Sequence, residues 1–290
     1  MITVSQNADV TPQQLDRYAR LVYEKIGVTI SAQKTTLLSN RLRRRLRALN
    51  LDCYDAYYEL LRKVAADDPE WDEFLNEVTT HETYLFRDET HWNWLRNVYL
   101  PQILLEGRAG RRPKSLRVWS AACSTGDEAT SIACCAADRL TPMNEWKIEV
   151  FGSDVGAGAV AQARKLTFGE RAMRLVPADH KRRFFDRLTD GTHAAKPMLR
   201  ELVRFETHNL LYPLKQPAFD LIFLKNVLIY FDVASKRKVL ETVRRALKPG
   251  GMLVTGAAEG VAELIKDMES TSGWLHRSPM RAATASGVRT

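Results

Sequence analysis

The stretch from Leu116 to Ile132 reads LRVWSAACSTGDEATSI, and its character changes twice. Leu116-Arg117-Val118-Trp119 is apolar and leans towards residues that pair in a buried strand. Six small residues follow, Ser120 to Thr125, closed by Gly126. Asp127 and Glu128 then open a new period, in the first turn of a helix, where acidic side chains complement the macrodipole. Strand, tight loop and helix make the first unit of a doubly wound α/β domain, whose ligands sit at such loops. The loop has no Gly-x-Gly-x-x-Gly and no Lys, so it provides for neither a pyrophosphate nor a triphosphate. Two carboxylates at its mouth repel phosphate and attract a cation. S-adenosylmethionine carries an ammonium and a sulfonium and no phosphate. The competing reading of the loop is an ordinary strand–helix turn.

Working outward, Lys147-Ile148-Glu149-Val150-Phe151-Gly152-Ser153-Asp154 alternates as a second strand and ends on an acid. A carboxylate at the end of that strand can accept both hydroxyls of a ribose. The plainer reading makes Asp154 an N-cap for a helix over Val155 to Lys165. Taken together, the two features favour an adenosyl cofactor.

The chain has 290 residues, enough to bury a substantial core in one large or two modest domains. Its 45% hydrophobic and 27% charged residues place it among globular proteins and outside the disordered and fibrous classes. No run approaches the roughly 18 apolar residues of a membrane span, and the polar start ITVSQNADV does not read as a signal peptide. The four cysteines, Cys53, Cys123, Cys134 and Cys135, have no metal-ligand spacing, and adjacent Cys134 and Cys135 suit reduced, buried thiols on a helix. The expected location is the cytoplasm. A net charge of +8 points to an acidic partner of unspecified class.

Residues 1 to about 75 read as helices. Thr11-Pro12 caps the first, running through Leu15, Tyr18, Leu21 and Val22. The second starts at Ser31 or Ala32 and holds Asn40-RLRRRLRAL, with Leu38, Leu42, Leu46 and Leu49 on one face. Its five arginines have no interleaved acid, which suggests a docking surface for an acidic partner. The alternative is a solvated face of an amphipathic helix. Helices over Tyr54–Val64 and Glu70–Glu77 complete the module. After the polar segment Thr79–Arg87, a helix runs from Glu89 through Trp92, Leu95 and Val98. Beyond the second strand lies an irregular, charged region, Phe168 to Arg204, with a hairpin turn at Asp190-Gly191. Arg200 to Thr207 reads as strand three and Phe219 to Leu224 as strand four, running on into Lys225–Phe231. A helix from Ser235 to Leu247 stops at Lys248-Pro249-Gly250-Gly251, and Met252 to Gly256 is strand five. The tail from about Thr284 reads as disordered.

Four motifs in this order, TTHETYLFR, RVWSAACSTGDEATSIA, FDLIFLKNVLIYFD and LKPGGMLV, give the chain a resemblance to the CheR-type chemoreceptor methyltransferases over essentially its whole length. The resemblance implies a Rossmann-like α/β methyltransferase domain over 79–284, with a small β-subdomain inserted at about 169–208. It also implies a small all-α domain over 1–78, whose basic helix at about 33–49 docks receptor through Arg41, Arg44 and Arg45. The activity it implies is transfer of methyl from S-adenosylmethionine to receptor glutamates, leaving S-adenosylhomocysteine, with no metal. By position, Arg87 and Tyr230 match the catalytic residues. Thr83, Arg87, Gly126, Glu128, Asp154, Asn209, Leu210, Asn226 and Val227 match the cofactor-binding set. The partners implied are cytoplasmic helices of methyl-accepting chemoreceptors, with no nucleic acid, no membrane insertion and a monomeric enzyme.

The chain departs from the family at three places. His81 stands where Asn is usual, Lys225 where Arg is usual, and Ala129-Thr130 where Pro-Tyr is usual. Lys does not reproduce a planar guanidinium fork. In some members the inserted subdomain grips a tethering peptide; the segment here is a few residues shorter, and tether binding is not assigned. The acceptor is already ionised at neutral pH, since Glu has a reference pKa of about 4.3, so no general base is required. Alignment and exclusion of water carry such a reaction, with Tyr230, Phe231 and Phe86 as candidate walls, although each Phe also reads as core. Two rivals stand beside this reading. One is an S-adenosylmethionine-binding signalling module with weak or no turnover, motivated by the three departures. The other is a nucleic-acid methyltransferase, motivated by a pI of 9.3 and weakened because Lys225-Asn226-Val227-Leu228 lacks a Pro-Pro-Tyr-type loop.

Overall fold

Thr11 accepts a hydrogen bond from the Gln14 backbone while the Gln14 side chain returns one to Thr11, a reciprocal cap that starts α1 (Pro12–Ile26). The computed structural model describes residues 9–280, so the tail from Thr284 lies outside the described residues. Helices α2 (Thr35–Ala48), α3 (Tyr54–Lys63) and α4 (Pro69–Val78) follow, the last capped by Asp68. Their apolar faces meet in a core of their own around Tyr18, Leu42, Tyr57, Leu61 and Phe74. Burying each such side chain contributes about 1.5–3 kcal/mol.

Next, α5 (Glu89–Trp94) passes through a wide turn at Leu95–Tyr99 into α6 (Leu100–Arg108). The α/β part then runs β1 (Ser115–Ala121), α7 (Asp127–Arg139), β2 (Lys147–Asp154) and α8 (Ala157–Lys165). An insertion follows: β3 (Thr167–Phe168), α9 (Glu170–Met173), α10 (Ala178–Phe184), β4 (Phe185–Arg187), β5 (His193–Ala195) and α11 (Pro197–Arg200). The chain continues with β6 (Val203–Thr207), β7 (Phe219–Leu224), α12 (Val233–Ala246), β8 (Leu247–Thr255), β9 (Glu269–Ser272) and β10 (Leu275–Arg277).

The large sheet has the order β6-β2-β1-β7-β8-β10-β9. From β6 to β8 neighbouring strands are parallel, and β10 lies antiparallel to both its neighbours. Side chains alternate faces with period two. Leu116 and Val118 of β1, Val150 of β2 and Leu221 and Phe223 of β7 share one core. Trp119, Ala121, Phe151, Ile222 and Leu224 share the other. Strand order reverses between β1 and β7, so the carboxyl ends of those strands border a crevice, as in Rossmann-like sheets. Cys134 and Cys135 are both fully buried on α7, where burial drives both thiols up, Cys135 to about 12.

Strand four spans Phe219–Leu224 as read, and the segment beyond it holds a short 3-10 turn at Leu228–Tyr230. Two details differ from the sequence reading. Asp190-Gly191 does turn the β4–β5 hairpin, yet the small sheet β3-β5-β4 lies within 167–195. Its expected span to 208 takes in β6, a strand of the large sheet. The hairpin of β9 and β10 was not anticipated, because Glu269-Ser270-Thr271-Ser272 is an exposed edge without apolar alternation.

Candidate active site

The small residues after β1 let the chain turn sharply: Ala122, Ser124 and Gly126 all have positive φ, at 59°, 51° and 86°. A Cβ on Gly126 would lie 2.9 Å from Ala163 Cβ and 3.0 Å from the Phe205 ring, so this position admits no side chain. Gly126 therefore packs behind the loop, away from the crevice. The loop is tied to β2 by Asp154, whose Oδ2 accepts from Ser124 N at 2.8 Å and whose Oδ1 accepts from Gly156 N at 2.9 Å. The N-cap of α8 is Gly156, without a side-chain cap bond. Asp154 is 7% exposed and faces a cavity of about 230 Å³ at the carboxyl ends of β1, β2 and β7. Each carboxylate oxygen there keeps a lone pair for a further donor.

Of the two acids opening α7, only Glu128 reaches this cavity. Asp127 is buried, accepts from Thr125 Oγ1 at 2.6 Å, and burial pushes its carboxyl up. Glu128 accepts from Ser120 Oγ at 2.8 Å. Burial raises its carboxyl too, and Lys225 pulls it back. The Lys225 side chain is 1% exposed, with Nζ 3.2 Å from Asp88 Oδ2 and 3.8 Å from Glu128 Oε2. The buried cation is thus shared between two acids, one from the first turn of α7 and one from the segment carrying Arg87.

That segment, Thr79 to Asp88, forms one side of the cavity. Thr83, Tyr84, Arg87 and Trp92 line it, with His81 held by Thr79 Oγ1 at 2.8 Å from its Nε2. Arg87 donates to Glu82 O at 3.0 Å, and Trp92 Nε1 donates to Arg87 O at 2.6 Å. Phe86 points the other way, into the core against Trp92 and His180. It is not a wall: it is buried in the core and does not line the cavity.

On the far side are Asn209 and Leu210 after β6, and Asn226, Val227, Tyr230 and Phe231 after β7. The Asn209 amide donates to Lys25 O at 2.7 Å, fastening the end of α1 to the sheet. The link from α1 to α2 closes the top: Val28 bridges Phe231 and Thr29 N donates to Tyr230 O at 2.8 Å. Ile30, Lys34, Leu37 and Arg41 complete this roof, with Lys34 Nζ 5.0 Å above the Tyr230 ring. The cavity thus lies between the helical module and the sheet edge.

Three of the five arginines of α2 meet acids: Arg45 pairs with Glu70 and Glu73 of α4, Arg44 with Glu77 of α4, and Arg43 with Asp9. Arg41 donates to Val78 O at 2.6 Å and to Thr80 Oγ1 at 3.3 Å, and burial followed by Arg44 lowers its pKa. Arg41, Arg44 and Arg45 therefore have three settings: the cavity roof, the exposed surface and a half-sequestered ion pair.

Two features escaped the sequence reading. Glu259, 1% exposed, lies beneath the loop after β7; its signal was an acid within Gly256–Gly260, just past a strand end. Lys34 was hidden by being read only as the start of a helix. No group of residues suited to holding a metal occurs among the described residues, and no described helix is long and apolar enough to cross a membrane.

Residues 81–274 match the family described as CheR methyltransferase, SAM binding domain, and residues 13–79 match CheR methyltransferase, all-alpha domain. The chemotaxis protein methyltransferase of Salmonella typhimurium strain LT2 is 32% identical over 274 residues, covering 92% of this chain and 90% of that protein. Its counterpart from Escherichia coli K12 is 33% identical over 271 residues, covering 91% and 90%. Among solved structures, N-methyltransferase NodS from Bradyrhizobium japonicum WM9 with S-adenosyl-L-homocysteine matches 77% of this chain and 98% of its own. That match has 18% identity and a TM-score of 0.38.

Proposed function

The chain belongs to the CheR methyltransferase family, and on that premise we propose that it methylates glutamate side chains of chemoreceptor cytoplasmic helices. The family carries the acceptor class, and the observation that carries the cofactor is the presence of Glu128 and Asp154 on one cavity whose loop offers no cation to a phosphate. That donor set fits S-adenosylmethionine. Glu128 would hold the ammonium, Asp154 the ribose hydroxyls, and Asn209 and Leu210 the adenine, with Thr83, Asn226 and Val227 completing the wall and Gly126 shaping the loop. When bound, the cofactor supplies a methyl group on a positively charged sulfur.

The residues of the chain do the rest by placement. A glutamate acceptor is ionised near neutral pH, at a reference pKa of about 4.3, so no side chain must remove a proton. Charge disappears as a carboxylate meets a sulfonium, and a strong cation clamped on the acceptor would favour the ground state. Lys225 is already neutralised by Asp88 and Glu128. Arg87 and Tyr230 align the reactants at the mouth, and Tyr84, Trp92 and Phe231 exclude water. The acidic receptor helix docks on α2 through Arg41 and Arg44, while Arg45 is turned to the fold. The reaction takes place in the cytoplasm.

Label transfer from S-adenosylmethionine to receptor cytoplasmic fragments tests the reading. The product should be a methyl ester that releases methanol in mild alkali, at a rate nearly flat between about pH 6 and 9. An amine or phenol acceptor would give an alkali-stable product and a rate climbing with pH, and either result overturns the assignment. Cofactor binding without transfer would establish the signalling-module alternative.

A further inference from the structure

The loop from Lys225 to Phe231 carries the side chains that bring Asn226, Val227 and Tyr230 to the cavity. Its backbone is irregular: Asn226 has φ 58°, and Val227 has φ −124° and ψ −40°. Such a segment leaves N–H groups that no strand or helix partner takes up. Here one buried carboxylate takes two of them. Glu259 Oε1 accepts from Val227 N at 3.3 Å, and Oε2 accepts from Ile229 N at 3.0 Å.

Several contacts place that carboxylate. Lys236 Nζ donates to the Glu259 carbonyl at 2.8 Å. A Cβ on Gly256 would stand 2.8 Å from Glu259 Oε1 and 3.5 Å from Asn226 N, so a side chain there would press on the carboxylate. Among the described residues no ion pair reaches the Glu259 side chain. Burial pushes its carboxyl up, and the backbone N–H groups of the loop pull it back. A buried charge without a counter-ion is costly, and hydrogen bonds from the loop are what offset it.

We infer that Glu259 is a positioning residue for methyl transfer: its carboxylate fixes the Asn226–Tyr230 loop in the conformation that presents Asn226 and Tyr230 to the cofactor and acceptor. This rests on the reading that the cavity is the transfer site. Glu259 touches neither reactant and acts through two backbone N–H groups.

The test uses the full chain, with calorimetric binding of S-adenosylhomocysteine and label transfer to a receptor fragment. Glu259→Ala leaves both N–H groups unpaired. It should weaken product binding about tenfold and lower kcat about a hundredfold through misplacement of the loop. The acceptor KM should stay within about twofold, because α2 is not involved. Glu259→Gln retains one acceptor oxygen and should recover part of both losses. A purely structural role would lower the melting temperature and leave kcat and binding untouched in the folded variant, which overturns the inference. If the Ala variant does not fold, Gln decides: wild-type binding and turnover together overturn it. The binding arm needs no acceptor, so a wrong acceptor assignment shows in the transfer arm alone.

Discussion

Arg45 and Glu70 meet as a two-pronged pair between α2 and α4, Nε to Oε1 at 3.0 Å and Nη2 to Oε2 at 2.5 Å, with Tyr57 donating to the same carboxylate at 2.6 Å. The side chains are only 14% and 11% exposed. Hydrogen bonding to Glu70 holds the Arg45 guanidinium above its ordinary value. Arg45→Ala should cost about 3 kcal/mol of stability, because it strands a largely buried carboxylate. Arg44→Ala, at a side chain 53% exposed, should cost at most about 1 kcal/mol. It should instead raise the acceptor KM and flatten its dependence on salt. Denaturant melts and kinetics on the two variants separate the roles, and equal melts would show that Arg45 is no more structural than its neighbour.

Asp154→Ala should weaken S-adenosylhomocysteine binding by at least about 1.5–3 kcal/mol, the range for a hydrogen bond to a charged group. The loop suffers as well, since Ser124 N and Gly156 N lose their acceptor. Asp154→Asn should recover little, because its amide group faces one of those N–H donors. Calorimetry measures both, and unchanged affinity in a folded Ala variant removes Asp154 from the site.

Glu128 links pH to stability in a direction that can be worked out. Burial raises its carboxyl in the folded chain above the ordinary 4.5, so the folded state holds the proton more tightly than the unfolded state. Stability from this group is present below 4.5 and is lost as pH rises through the folded value. Glu128→Gln should therefore match wild type below 4.5 and gain in melting temperature as pH rises through the folded value, while binding the cofactor more weakly. A gain confined to acidic pH would reverse the argument.

Arg87→Ala should lower turnover about a hundredfold, the order attached to a small misalignment of reacting groups. Arg87→Lys should restore little, since Lys keeps the charge without the fork that reaches Glu82 O. The check is kcat at saturating acceptor, and full rescue by Lys would make charge, not shape, the requirement.

What was legible in the sequence is what local rules enforce. β2 was read to the residue, Lys147 to Asp154, because it alternates and ends on a charge. The start of α1 followed from Thr11-Pro12 with Gln14 in reach. Features that depend on distant partners were not legible. The acids that meet Arg44 and Arg45 of α2 lie on α4, 25 to 33 positions away. Phe86 and Arg87 are neighbours, yet one packs in the core and the other lines the cavity. Glu259 binds a loop 30 residues before it, and its one local mark, an acid between two glycines past a strand end, does not say which loop it serves.

Thr29 grips the carbonyl of Tyr230, and Ile30 and Leu37 close the same space that Asp154 and Glu128 border from below. A ligand filling that space would therefore touch both the module and the carboxyl ends of the strands. By thermodynamic reciprocity, a bound cofactor that tightens the module by some factor has its own affinity raised by that factor. On the proposed function, a receptor helix that shifted this roof on docking would change the affinity for the methyl donor, and the donor would change the affinity for the receptor by the same factor.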